Sequence, residues 1–522
     1  MKLKGSLTRS EVLLGAAFAA VSCSVLAALI AKGHVLGGAE SQVGADQLQY
    51  LSWIVSSSRG LTINSLWSIP AQTGSAFVHP GFALSGLLHR LGLSVIASYQ
   101  LSKLVAIPAV IASAVMWTRR FTPEGGPRTA ALALILFGLS PVGALLGWNV
   151  LAGGFRGQTE FVAGEMFAPA WLWGYMMTAL AVAALIGALL AAERQRDEAA
   201  GRLVAVGLPL LALTCSWLQP WQGAELLAVV VIADLLRRRE APAGLVLKRL
   251  PFLLACLVPL VYYRWLSGTE DVWQIAAKAN NSLGLWSFAV WAGALLPWLP
   301  AVLAYRARPR DWGESVLLLL APMMVLEYAA IAVSGSGTFP FHAVQGIGFA
   351  LGALAVRGSL SVKPLSWWRA NSVLPIAFCL IMCVPGTLHR MNLMRLEIHR
   401  SEQPYFLEDG EAEALSYLAK AHGSGGVLAP IKAGLTVPAH TGRPTWVGEL
   451  SWTPNFRQRV VVAEEFFKGQ LDEQQAAALL RESHARFLYA DCGHQADLGP
   501  ALAGKVLSVK SFGCARVWEL KP

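Results

Sequence analysis

The chain has 522 residues, of which 55% are hydrophobic and only 14% charged, with a formal net charge of +10. A soluble domain of this size could not hide so much apolar surface in one core, so an ordinary soluble enzyme is excluded. The basic excess sits in brief loop clusters without interleaved aromatics, which also excludes a nucleic-acid surface.

Apolar runs long enough to cross a bilayer recur near 12–32, 95–118, 129–150, 170–192, 203–217, 222–236, 250–266, 286–304, 315–333, 343–356 and 373–388, about eleven crossings. The first follows a basic leader, is longer than a signal-peptide core and has no small-residue cleavage site after it, so it is read as a retained anchor. One set of alternate loops carries 20 of the 42 Lys and Arg, among them Arg9, Arg119, Arg120, Arg196, Arg249 and Arg357. Those loops are expected in the cytoplasm, which puts the N terminus inside and the last ~130 residues outside.

The first outer loop, about 33–94, is too long for a simple connector. From Asp46 to Val55 its apolar residues fall at 48, 51, 54 and 55, a helical stripe for a segment lying on the membrane surface. Asp46 stands at the start of that stripe, where a carboxylate is also a good helix cap. Pro80 after His79 reopens a helix toward His89.

In the bundle, Trp217–Gly223 forms a polar turn between two short spans, tolerated at membrane depth only inside protein or beside a water-filled cavity. Lys103, Glu225, Arg264 and Glu327 fall in the outward halves of their spans and should face the bundle interior, since a charge facing lipid is expensive. An outward cavity with carboxylates (Asp46, Glu160, Glu165), amides (Gln47, Gln158, Gln219, Gln222) and histidines (His79, His342) suits a hydroxyl-rich substrate with an anionic lipid head group. Trp221 fits either the interfacial aromatic belt or a sugar-stacking platform.

From about Glu397 the pattern changes to a small α/β domain, with helical stretches at 411–421 and 473–483 and strand-like runs at 427–429, 486–490, 506–509 and 515–520. The expected domains are therefore 1–395, transmembrane, and 396–522, extracytoplasmic. Cys492 and Cys514 are the only cysteines in the outer domain, where an oxidising exterior would permit a disulfide. Neither a phosphate-binding loop, a His-Glu-x-x-His nor a Gly-x-Ser-x-Gly is present, so nucleotide-driven chemistry is not expected.

Gly44-Ala45-Asp46-Gln47-Leu48-Gln49-Tyr50-Leu51 with His79-Pro80 downstream, and Val437-Pro438-Ala439-His440-Thr441-Gly442-Arg443 followed by Gly448 and Thr453-Pro454-Asn455, carry a resemblance. Set on a multi-span helical bundle with an extracytoplasmic α/β domain, they resemble the GT-C superfamily of polyprenyl-phosphate-sugar-dependent glycosyltransferases. That resemblance implies a polytopic α-helical enzyme of the bacterial plasma membrane. It would move a sugar, with inversion, from a polyprenyl-phosphate carrier to a glycan, lipid or protein acceptor. Asp46 would be the general base and Glu165 the second acidic group; Lys103, Arg264 and His342 would meet the lipid phosphate; Gln47, His79, Gln219 and Trp221 would line the substrate. Many members carry two adjacent acids in the first loop, whereas here Gln47 follows Asp46, which leaves a divalent metal an open question. A transporter or flippase for a lipid-linked sugar would use the same cavity without a base, although no internal repeat in hydropathy supports it. A mere membrane anchor for the outer domain needs neither eleven crossings nor buried charges.

Overall fold

The computed structural model describes residues 6–67, 75–153, 156–197, 201–280, 284–334, 339–361 and 373–521. Helices dominate, and five are long and apolar enough to cross a membrane: Arg9–Ala31, Val95–Phe121, Met176–Gln195, Leu245–Thr269 and Trp312–Ser334. Gly126–Phe137 and Pro141–Gly147 form a sixth as a pair bent by 55°, and Arg202–Leu218 and Ile347–Ser361 are shorter apolar helices. By length and composition alone, then, five or six of the expected eleven crossings qualify among the described residues. The run at 286–304 is not one helix but Phe288–Ala294, a 3-10 turn at Leu296–Trp298 and Ala301–Ala304. Pro297 and Pro300 lack the N–H groups that an unbroken ladder would need there. The final expected span, by contrast, runs on past 388 to Arg400.

The chain divides into two compact units. The first comprises Met1–Val25, Lys103–Arg264 and Leu283–Leu393. Its axis is the Met176–Gln195 helix, whose Ala179, Val182, Leu185, Ile186 and Ala188 are fully buried. Alanines along this helix let the Lys103–Phe121 and Arg202–Leu218 helices pack closely against it. The arginines expected in cytoplasmic loops are largely paired: Arg119 with Glu11, Arg120 with Glu193 and Asp311, Arg196 and Arg249 with Asp234, and Arg357 with Glu314.

The second unit comprises Leu26–Ser102, Trp265–Ser282 and Met394–Pro522. Its sheet has strands β1 (Gly426–Leu428), β2 (Ala485–Ala490), β3 (Val506–Phe512) and β4 (Ala515–Leu520) in the order β1-β2-β4-β3. β1 runs parallel to β2, and the other pairings are antiparallel. Alternate strand residues supply two cores. Leu428, Leu488 and Trp518 meet Phe466, Phe467 and Leu479 on one face, while Val427, Phe487, Tyr489 and Val517 meet Leu415, Leu418 and Val437 on the other. Cys492, just after β2, is bonded to Cys514 in the β3–β4 turn, with Cα atoms 4.8 Å apart.

The first outer loop belongs to this unit rather than to the bundle, a grouping that departs from the 1–395 and 396–522 division. Val35–Leu36 pairs antiparallel with Phe406–Leu407, and the Gly44–Arg59 helix packs on the Ile431–Thr441 helix. Arg59 closes the contact by donating to the carbonyls of Thr441 (2.8 Å) and Gly442 (2.9 Å).

Candidate active site

Asp46 lies in the first turn of the Gly44–Arg59 helix, half-buried. The cap position is Val43, which offers no side-chain acceptor, so the carboxylate sits where exposed helix N–H groups favour negative charge. Gln47 is fully buried and its Oε1 accepts from the backbone N–H groups of Glu40 and Ser41, which fastens the strand entering the helix. Glu40 is held in turn by Gln100 Nε2 at 2.9 Å. His79 caps the Pro80–Arg90 helix, its Nδ1 accepting from Phe82 N at 3.3 Å while its ring stacks on Phe82. Gln47 and His79, expected to line the substrate, are thereby tied into the scaffold of this unit.

An acidic group within electrostatic reach of Asp46 in this unit is Glu449. It is 5% exposed, and its Oε2 accepts from Ser451 N (2.7 Å) and Trp452 N (3.0 Å). Burial first, and the Asp46 charge second, push its carboxyl up to about 8. Edge-to-face packing fixes the loop: Trp452 meets Trp53 at 5.4 Å and Trp273 at 5.2 Å, and Trp53 meets Phe77 at 5.3 Å. Gly448 belongs to the same device, because a Cβ there would collide with the Trp67 indole, whose Nε1 donates to Gly434 O. Sequence reasoning marked Gly448 and Thr453-Pro454-Asn455 but passed over the carboxylate between them; a glutamate one residue from a glycine, in a segment rich in aromatics, was the available signal.

Four of the other expected residues, Glu165, His342, Trp221 and Gln222, meet in the first unit. Glu165 Oε2 accepts from Gln345 Nε2 at 2.6 Å and lies 3.5 Å from His342 Nδ1. His342 stacks on Trp221, with ring centroids 4.5 Å apart and planes 25° from parallel, and its carbonyl accepts from Gln222 Nε2. Gln219 bonds Thr178 Oγ1 at 3.0 Å. Lys103 opens its helix and is buried, while Arg264 is exposed on the Leu245–Thr269 helix. Glu160, expected in the cavity, gathers partners the sequence reading did not foresee: its Oε1 accepts from Arg156 (2.8 Å) and contacts His389 Nε2 (3.0 Å), and Arg390 donates to the Glu160 carbonyl at 2.7 Å. Glu160, His389 and Arg390 line a small cavity with Ser140 and Leu393. No three His, Cys, Asp or Glu side chains converge as a metal set among the described residues.

No protein-family model matches the sequence, and no curated protein matches it. Solved structures do match in fold. The crystal structure of ArnT from Cupriavidus metallidurans, bound to undecaprenyl phosphate, aligns over 97% of this chain and 97% of its own, with a TM-score of 0.51 at 16% identity. The oligosaccharyltransferase of Archaeoglobus fulgidus in its apo form aligns over 93% of this chain and 70% of its own, with a TM-score of 0.50 at 10% identity. The chain thus shares its fold with ArnT over nearly the whole length of both, and with about seven-tenths of the oligosaccharyltransferase.

Proposed function

We propose that this protein is a membrane glycosyltransferase that moves a sugar, with inversion, from a polyprenyl-phosphate carrier to an acceptor hydroxyl on the extracytoplasmic side. The observation that carries the reading is the Asp46–Glu449 pair: two carboxyls within electrostatic reach, one of them buried and pushed up to about 8. Near neutral pH Glu449 keeps its proton and adds no charge beside Asp46, which is the carboxylate proposed to act as the base. Asp46 takes the acceptor proton as the acceptor oxygen attacks the anomeric carbon. The bond from that carbon to the phosphate oxygen breaks, and the phosphate leaves with its electrons. Lys103, Arg264 and His342 remain the proposed partners of that phosphate, whose growing charge needs cations already aimed at it. The acceptor is a glycan, a lipid or a protein. The fold shared with a protein bound to undecaprenyl phosphate supports the choice of carrier.

The test is to incubate the purified protein with radiolabelled polyprenyl-phosphate sugars and measure release of polyprenyl phosphate. Asp46→Asn should fold normally and lose about 10²-fold or more in turnover. Transfer near the parent rate would overturn the assignment of the base.

A further inference from the structure

At the basic end of the helical unit the cations fall into two kinds. The inner kind builds a platform. Arg196 and Arg249 share the Asp234 carboxylate, at 2.7 Å and 2.9 Å, and lie over the Trp312 ring at 5.9 Å and 5.5 Å. Arg196 also donates to the Arg237 carbonyl at 3.1 Å. Arg237 donates in turn to the Pro309 carbonyl and, at 3.1 Å, to Ser315 Oγ. These bonds join three pieces of chain into one surface: the end of the Pro220–Leu236 helix, the start of Leu245–Thr269 and the segment entering Trp312–Ser334.

The outer kind stands on that platform. Arg238, Arg239 and Lys248 come from the first connection and Arg306, Arg308 and Arg310 from the second; all six are exposed, and none is in an ion pair among the described residues. The acids of these segments are already engaged: Asp234 by Arg196 and Arg249, Glu240 by Arg237, Asp311 by Arg120, and Glu314 by Arg357. A surface built only for solubility intersperses both signs, whereas this one presents a single sign.

A second feature tells what covers it. The residues that adjoin the first three cations along the chain are apolar and exposed: Leu235 by 63%, Leu236 by 66%, Val246 by 81% and Leu247 by 76%. The last two open a helix long enough to cross a membrane. Exposed leucine and valine at a helix end, followed at once by arginine, match the step from acyl chain to head group. Five of the six cations are arginines, whose planar fork pairs with phosphate oxygens through two parallel bonds.

We propose that this surface docks the phosphate head groups of anionic phospholipids. The 238–248 and 306–310 segments supply the charge, and Leu235, Leu236, Val246 and Leu247 meet the acyl chains. Each cation near an anionic lipid surface strengthens attachment about fivefold. The inference is independent of the Asp46 chemistry and would hold whether or not the chain transfers sugar.

The experiment uses the full-length protein in a neutral detergent. Phosphatidylglycerol is the probe, phosphatidylcholine with the same chains its zwitterionic counterpart, and the readout is the thermal midpoint. Phosphatidylglycerol should raise the midpoint, phosphatidylcholine and inorganic phosphate should not, and about 0.5 M salt should remove most of the rise. R238Q/R239Q and R306Q/R308Q should each weaken the apparent affinity for phosphatidylglycerol about tenfold or more while keeping the parent's size-exclusion profile. Lys420→Gln, which removes an exposed cation from the other unit, should leave that affinity unchanged. An equal response to both lipids overturns the proposal, as does an equal response to inorganic phosphate or an unchanged affinity in R238Q/R239Q/R306Q/R308Q. Should a variant fail to fold, the parent decides: a phosphatidylglycerol effect that persists undiminished at about 0.5 M salt is not held by these charges.

Discussion

Glu449 gives the clearest signal at the scale of single residues. Its folded carboxyl titrates near 8, against an ordinary value of 4.5. The folded state therefore keeps a proton that the unfolded chain has lost, and the stability this confers is complete below about 4.5 and disappears as pH rises to about 8. The slope is at most about 1.4 kcal/mol per pH unit. Glu449→Gln should flatten it: thermal midpoints in detergent should match the parent near pH 4.5 and exceed it at pH 8.5. A parallel loss in both proteins would show that burial does not govern this carboxyl. His494 works with the same sign on a different group. Asp491, hydrogen-bonded to Nδ1 at 2.6 Å, raises its pKa most, and Glu464 at Nε2 adds to it. Its contribution is full below the ordinary imidazole value and fades as pH rises through the raised one. His494→Gln should consequently cost more stability at pH 5.5 than at pH 9, measured by denaturant melts.

At the scale of elements, Arg443 shows what a short motif can mean. Its guanidinium donates to the carbonyls of Leu418, Ala421, Gly423 and Gly425, at the end of the Asp409–Lys420 helix and in the turn beyond, while it lies 4.7 Å over the Phe487 ring. The planar fork reaches several acceptors that an ammonium cannot reach together. Arg443→Lys should destabilise by about 2 kcal/mol and Arg443→Ala by somewhat more, seen as a lower thermal midpoint. The Val437–Arg443 stretch that carried the family resemblance is thus tied to the architecture of the outer sheet unit. Helices were legible where apolar residues ran unbroken, as in Arg9–Ala31 and Trp312–Ser334. The 286–304 run misled because its neighbouring residues are apolar enough to mask the break at Leu295–Pro300, where Pro297 and Pro300 lack ladder N–H groups. Strands β2 and β4 were readable for the opposite reason, being short, apolar and bounded by turns.

At the scale of the whole molecule, the charge asymmetry of alternate loops proposes an orientation with the C terminus outside. A tag after Pro522 should be removed by protease added to intact cells; a tag shielded until lysis would reverse the orientation. The site was partly legible at this scale. Asp46 stood out because it opens an amphipathic stretch in a long loop, but Glu449 lies some 400 positions away and is brought near only by the packing of the Gly44–Arg59 helix on Ile431–Thr441. No local spacing encodes that meeting. Glu165, His342 and Trp221 come together for a similar reason, through a 3-10 turn at Pro340–Val344 that periodicity does not reveal.

Trp53, Trp273 and Trp452, drawn from three distant stretches of chain, stand edge to face at 5.2–5.4 Å around the loop that holds Glu449. Indoles so close and so oriented couple their electronic transitions, which makes the loop an optical reporter built into the protein. Removing one ring as Trp452→Phe should collapse a distinct near-ultraviolet circular dichroism band without changing the far-ultraviolet helix signal. Any acceptor that shifts the loop would then be visible in the spectrum of the unlabelled protein before a single sugar has been transferred.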